Sequence, residues 1–281
     1  MPGRGGARFS RKRFGQHFLE PAWVTKVIRA IDPQPGDVFV EIGPGRGALT
    51  APLLERAGSV VAFEIDRDLA ADLRQSHPRL TVVEGDFLES AGMLTGHGAA
   101  ALRVAGNLPY NVASPILFKL LELYQAGAPL ADVTVMLQHE VAERLGAAPG
   151  GREYGVLSIL VQHYADVQVL MRLPPGAFRP APRVRSALVR IRFHPPRPPA
   201  ANPTLFTGLV RAIFTRRRKT LANALLAFPH PLAVSPADAL QRSGLDGTRR
   251  PETLAIAELV RLADALERSE GPEGPVATRR T

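Results

Sequence analysis

The chain contains no cysteine among its 281 residues. Disulfides and thiolate metal sites are therefore excluded, and such usage suits a reducing compartment. No apolar run approaches the roughly 18 residues that a membrane helix needs. The N-terminal stretch also lacks the apolar core of a secretory signal, so a soluble, cytoplasmic protein with no membrane partner is expected. Tryptophan occurs once, and acid is the scarcer charge, with 26 Asp and Glu against 35 Lys and Arg and a net charge of +9. In a folded enzyme that imbalance points to a polyanionic partner, nucleic acid above all. A membrane surface fits less well, because no basic helix carries a bulky apolar face. His139 and His163 stand among apolar helices, and no metal site is expected.

What is present centres on Val38 to Gly47, Val-Phe-Val-Glu-Ile-Gly-Pro-Gly-Arg-Gly. A short apolar run rich in β-branched residues reads as a buried strand, and glycines at alternate positions end it. A helix is expected at once, over Ala48 to Ala57. Strand, glycine turn and helix open a nucleotide-binding α/β unit, in which glycine leaves no side chain between backbone and ligand. The next strand, Ser59 to Phe63, ends in Glu64, twenty-one residues after Gly43. That is near the spacing at which an acid meets ribose hydroxyls. A third strand, Leu80 to Gly85, ends in Asp86, a second acceptor suited to the exocyclic amine of an adenine. A fourth, Ala101 to Gly106, ends in Asn107-Leu108-Pro109-Tyr110.

In order along the chain, residues 1–13 form a basic arm without acid, in which Arg11, Lys12 and Arg13 could follow a phosphate backbone. An organellar transit peptide would share that composition. Gln16 and His17 lie between Phe14 and Phe18 and suggest a segment folded over a ligand. Residues 14–194 are expected to form the catalytic domain, with Glu89 to Gly98 a loop inside it. Pro195 to Pro203 reads as an extended linker. Residues 204–268 are expected to form a small all-helical domain, and 269–281 a loose tail. The run Arg216-Arg217-Arg218-Lys219 enters the second helix of that domain on this reading, and four adjacent cations suit a polyanion.

The Asn-Leu-Pro-Tyr segment carries the chemistry. The amino group of adenine is a poor nucleophile because its lone pair is drawn into the ring. Asn107 offers a side-chain carbonyl, and Leu108 a backbone carbonyl that Pro109 holds extended. Two acceptors on one NH₂ would favour its reactive geometry. Tyr110 offers a flat face for an extruded base, and the electrophile would be the methyl of a sulfonium cofactor.

With Phe14-Gly15-Gln16-His17-Phe18-Leu19, Glu41-Ile42-Gly43-Pro44-Gly45-Arg46-Gly47, Glu64-Ile65-Asp66, Asn107 to Asn111, Gln138 to Leu145, Tyr154 to Leu157, Phe178 to Ser186 and Arg217 to Leu221 in this order, the chain resembles the ribosomal RNA adenine N6,N6-dimethyltransferase family. The resemblance spans about residues 8 to 268. It implies a Rossmann-like class I S-adenosylmethionine-dependent methyltransferase sheet with a small C-terminal helical domain. It implies dimethylation of N6 of two adjacent adenosines near the 3′ end of small-subunit rRNA; a pre-ribosomal 30S particle as partner and a monomeric enzyme are expected, with naked rRNA left open as the substrate. Cofactor contacts would fall on His17, Leu19, Gly43, Glu64, Asp86 and Asn107, with Gln16, Gly45, Ile65 and Phe87 beside them. The catalytic set would be Asn107, Leu108, Pro109, Tyr110 and Phe178, the last flanking the target base with Tyr110. Arg183 and the run Arg216 to Lys219 would join the N-terminal arm on RNA. His17, Arg46 and His139 depart from residues common in the family. The alternatives are a macrolide-resistance type methyltransferase of large-subunit rRNA and an assembly factor with dispensable catalysis.

Overall fold

The structure is a computed structural model and describes residues 17–96, 101–228 and 234–267. In chain order its elements are β1 Phe18–Leu19, α1 Pro21–Ile31, β2 Val38–Ile42, α2 Thr50–Arg56, β3 Ser59–Glu64, α3 Arg67–Ser76, β4 Thr81–Glu84, α4 Phe87–Ser90, β5 Leu102–Asn107, α5 Ala113–Gln125, β6 Leu130–Gln138 and α6 His139–Leu145. There follow α7 Val156–Tyr164, β7 Ala165–Leu173, β8 Phe178–Arg179, β9 Ser186–Phe193, α8 Pro203–Phe214, α9 Leu221–Leu225, α10 Pro236–Ser243 and α11 Ile256–Leu266.

Two compact units result. The first takes the described residues up to Gly146 together with Ala165–His194, and the second takes Ala147–Tyr164 and everything described from Pro195 onward. A division at the proline-rich segment alone is thus incomplete, since Ala147–Tyr164 belongs with the helices. The reason is packing: α7 is apolar on most sides, and its buried His163 lies 4.6 Å from the ring of Phe206 on α8. The Tyr154 hydroxyl donates to the carbonyl of Leu254 at 3.0 Å. The N-terminal arm and the tail lie outside the described residues.

In the first unit seven strands form one sheet in the order β4-β3-β2-β5-β6-β9-β7. Strands β2 to β6 are parallel, and β9 runs antiparallel to both its neighbours. Their apolar runs suit strands covered on both faces. From β2 the chain steps outward to β3 and β4, then returns to β5 on the other side. The strand order therefore reverses between β2 and β5, and ligands bind at the carboxyl ends beside such a reversal. Gly106 makes the close pairing possible, because a Cβ there would lie 2.5 Å from the carbonyl oxygen of Ile42.

Two local differences from the sequence reading bear on the site. The expected loop at Glu89 to Gly98 is helical where described, as α4 and a 3₁₀ turn Ala91–Gly96, because Asp86 caps it by accepting from the N–H of Leu88 at 2.9 Å. The helix after the glycine turn starts at Thr50 rather than Ala48. The entry to α1 is held by β1, which pairs antiparallel with β8 in a separate two-stranded sheet. The far end of α1 is tied down by arginines: Arg103 donates to the carbonyls of Ile31 and Asp32, and Arg190 to those of Ala30 and Ile31. Asp37 and Asp132 pair with Arg103 at 2.5 and 3.0 Å.

Candidate active site

The carboxyl ends of β2, β3 and β5 and the loop after β4 enclose a cavity of about 280 Å³. Its floor is the glycine turn after β2. Gly43, Gly45 and Gly47 all take positive φ, at 67°, 59° and 81°, which L side chains rarely adopt. This is why the turn can fold back tightly and bring Gly45 under the carboxylate of Glu64. That carboxylate accepts from the N–H of Gly45 and from the N–H of Asp66, each at 2.9 Å. Each oxygen keeps a second lone pair for a hydroxyl. Burial raises the pKa of Glu64, against the lowering effect of those backbone hydrogen bonds.

Asp86, after the neighbouring strand β4, also lines the cavity, oriented by its capping bond to Leu88. Much of the wall is apolar, with Ile42, Leu49, Phe63, Ile65 and Phe87. Phe87 meets Phe63 edge to face at 5.2 Å. A largely apolar cavity with two acids in its lining suits the flat base and the ribose of an adenosine.

Asn107 is the last residue of β5, and its amide nitrogen donates to the backbone carbonyl of His17 at 2.8 Å. A carbonyl can only accept, so the partner fixes which end of the amide is nitrogen and turns the oxygen elsewhere. Leu108 spends its N–H on the carbonyl of Met136 at 3.2 Å. Tyr110 is anchored through its hydroxyl to Ser186 at 2.7 Å, and burial raises its pKa, so it stays a neutral phenol. That suits a stacking surface rather than a base.

The strap completes the enclosure with His17, Phe18 and Leu19. Arg46 lies over the ring of Phe18 at 4.5 Å, so the arginine of the glycine turn holds the strap down by a cation–π contact.

All the expected cofactor residues that are described, from His17 and Leu19 to Asp86, Phe87 and Asn107, line this one cavity, as do Leu108, Pro109 and Tyr110. Gln16, Arg11, Lys12 and Arg13 lie outside the described residues. Phe178 is not in the lining of this cavity. It is 1% exposed, pairs in register with Leu19, and packs in the core with Leu173, Ala177 and Leu188 rather than in the cavity wall. The β1–β8 pairing turns its ring toward that core.

In the second unit the basic run lies in the turn before α9, not in the helix. Arg217 pairs there with Glu252 and donates to the carbonyl of Arg152 at 2.5 Å. It is thus a clamp on the 147–152 loop as well as part of the lining of a surface hollow. Arg216, Arg218 and Lys219 remain exposed around a surface hollow with Asn223. Arg183 is exposed on the first unit.

One buried group escaped the sequence reading. Glu41, 1% exposed within β2, lines the cavity and accepts from the hydroxyl of Thr50 at 2.6 Å. Burial pushes its pKa up to about 7. The signal was available as a single acid inside an otherwise apolar strand.

Comparison with known proteins gives a concordant result. The family profile described as ribosomal RNA adenine dimethylase matches residues 8–267. The chain is 42% identical over 262 residues to the ribosomal RNA small subunit methyltransferase A of Acinetobacter baylyi, covering 92% of each chain. It is 46% identical over 259 residues to the protein of that name from Alcanivorax borkumensis, covering 91% of this chain and 89% of that one. Among solved structures, a dimethyladenosine transferase from Plasmodium falciparum matches with a TM-score of 0.72 at 24% identity, covering 88% of this chain and 96% of the other. The 23S rRNA methyltransferase ErmE matches with a TM-score of 0.63 at 25% identity, covering 89% of this chain and 100% of the other.

Proposed function

Because the chain belongs to the ribosomal RNA adenine dimethylase family, we infer that it transfers methyl groups from S-adenosylmethionine to N6 of adenosine in small-subunit rRNA. The observation that carries this reading is the amide of Asn107, held by His17 at the tip of β5 beside the cavity that Glu64 and Asp86 close.

The cavity's residues fit the cofactor. Glu64 would accept from the ribose hydroxyls, Asp86 from the adenine amine, and the glycine turn leaves its backbone open to the methionine portion. When bound, S-adenosylmethionine supplies a methyl on a sulfonium sulfur, a strong electrophile. The protein's own share is positioning and electrostatics. The side-chain oxygen of Asn107 and the backbone carbonyl of Leu108 hold the N6 hydrogens of the target base and turn its lone pair outward. Tyr110 supports the base by stacking.

The finer reading is dimethylation of two adjacent adenosines near the 3′ end of the 16S rRNA, in the cytoplasm, by a monomer acting on a pre-ribosomal particle. Arg183, Arg216, Arg218 and Lys219 would hold phosphates, which position the RNA without reading its sequence. The relatives named for the small subunit, at 42–46% identity, favour this over the large-subunit substrate named for ErmE.

The test is labelled-methyl transfer to small subunits that lack the modification, followed by nucleoside analysis. Dimethyladenosine at two neighbouring positions is expected. Incorporation into large subunits alone, or none into either, would overturn the reading.

A further inference from the structure

Tyr110 is held still. Its backbone follows the Asn-Leu-Pro turn, and its hydroxyl is bonded to Ser186, itself buried, at 2.7 Å. The ring is nevertheless not bare. The imidazole of His17 is stacked against it, with ring centroids 5.6 Å apart and planes inclined by 26°. Rings in such direct contact leave no space for a third ring between them. His17 thus covers one face of the ring on which a base could stack.

The two halves of His17 do different work. Its backbone carbonyl accepts from the amide of Asn107 at 2.8 Å. Its ring nitrogen Nδ1 lies 2.6 Å from the carbonyl of Pro180, and since a carbonyl only accepts, that nitrogen carries the proton. Rotation about the side-chain bonds would break the ring's contacts with Tyr110 and Pro180 but leave the carbonyl where it is. Asn107 would keep its orientation while the imidazole moved.

We propose that the imidazole of His17 is a placeholder for the target base: it covers Tyr110 while no base is bound and turns away when an adenine arrives. This rests on the reading of Asn107 to Tyr110 as the target-adenine site. The placeholder keeps the aromatic slot closed to stray rings in the free enzyme. Base docking must then displace one stacked ring and one hydrogen bond, which together weaken apparent RNA binding by about tenfold.

The experiment has a spectroscopic and a kinetic arm. In the full-length protein loaded with S-adenosylhomocysteine, the His17 ring protons should show an upfield ring-current shift that disappears in Tyr110→Leu. That shift should also vanish in the wild type on adding a short single-stranded RNA carrying two adjacent adenosines. In steady state at saturating S-adenosylmethionine, His17→Ala and His17→Asn should each lower KM for unmodified small subunits by about tenfold, whatever loss of kcat follows from the place of His17 in the cofactor cavity. A ring-current shift that is absent from the free protein, or that persists with RNA bound, overturns the proposal. So does a KM that is unchanged or raised in both variants. Failure of the functional reading looks different: the wild type itself would then methylate no adenosine of the small subunit.

Discussion

The amide of Asn107 and the backbone carbonyl of His17 meet at 2.8 Å although 90 residues separate them. One belongs to a sheet strand and the other to the strap that crosses the cavity, so closure of the strap and orientation of the amide are a single event. The strap is itself fixed by its pairing with β8 and by the Glu20–Arg179 ion pair at 2.5 Å.

Asn107→Ala and Asn107→Asp should both lose methyl transfer, for different reasons. Alanine removes the acceptor for the N6 hydrogens. Aspartate keeps acceptors but sets a carboxylate against the carbonyl of His17, where the structure has a donor. Loss of one preorganised group of this kind costs about 10²- to 10³-fold in kcat. Small-subunit affinity should change by less than about twofold, because it resides in phosphate contacts. Methyl incorporation at the wild-type rate in either variant would remove Asn107 from the catalytic role.

Much of this site was legible in the sequence because parallel strands announce themselves as short apolar runs and their tips follow directly. Gly43, Glu64, Asp86 and Asn107 each sit one step from such a run, so knowing the strands nearly places the residues. What was not legible depends on contacts between distant segments. Phe178 faces the core because Leu19 pairs with it, and nothing local to Phe178 records that. Arg217 looks like its neighbours in the basic run until Glu252 is brought beside it. The apolar helix α7 could have packed on either unit, and periodicity alone does not say which. Glu41 shows the reverse case, an anomaly visible in the strand whose partner, Thr50, is on the following helix.

Glu41 gives a pH-dependent prediction. Its folded pKa of about 7 lies above the ordinary value of 4.5 for a glutamate, so the unfolded chain gives up this proton first as pH rises. Stability from this group is therefore complete below about 4.5 and falls as pH climbs through about 7, by on the order of 3 kcal/mol. Glu41→Gln keeps a group that can accept from Thr50 and cannot ionise. Its melting temperature should exceed that of the wild type at pH 8.5 by more than at pH 5.5. Melting curves that shift in parallel for both proteins would show that Glu41 does not titrate in this window.

Glu64→Gln tests the junction of cofactor and fold. The carboxylate accepts two backbone N–H groups, one per oxygen, and an amide must turn its NH₂ toward one of them. The glycine turn then loses a hydrogen bond and the ribose loses an acceptor. Affinity for S-adenosylhomocysteine, read by calorimetry, should fall by tenfold or more, with each lost charged hydrogen bond contributing about 1.5–3 kcal/mol. An unchanged affinity would move the ribose away from Glu64.

Gly106→Ala should act through the backbone. The added methyl would lie 2.5 Å from the carbonyl oxygen of Ile42, with two more backbone atoms of that residue at 3.4 Å. No side chain can step aside, so β2 and β5 must separate next to Gly43 and Asn107. Overpacking of this sort costs about 1–3 kcal/mol, and cofactor affinity should fall with stability. A variant as stable as the wild type would mean that the two strands part without penalty.

The basic run of the second unit offers a comparison between adjacent residues of one charge. Arg216 and Arg218 are exposed, whereas Arg217 is half-buried, paired with Glu252 and bonded to the carbonyl of Arg152 at 2.5 Å. Arg218→Ala should weaken RNA binding and reduce the slope of log affinity against log salt by about one, the signature of one lost phosphate contact. Arg217→Ala should leave that slope nearly unchanged, because its charge is already spent on Glu252. It should instead lower the melting temperature, by an amount equivalent to about 1 kcal/mol for a partly exposed charged hydrogen bond, and expose the 147–152 loop to proteolysis. Equal salt slopes for the two variants would return Arg217 to the RNA surface and make its pairing with Glu252 incidental.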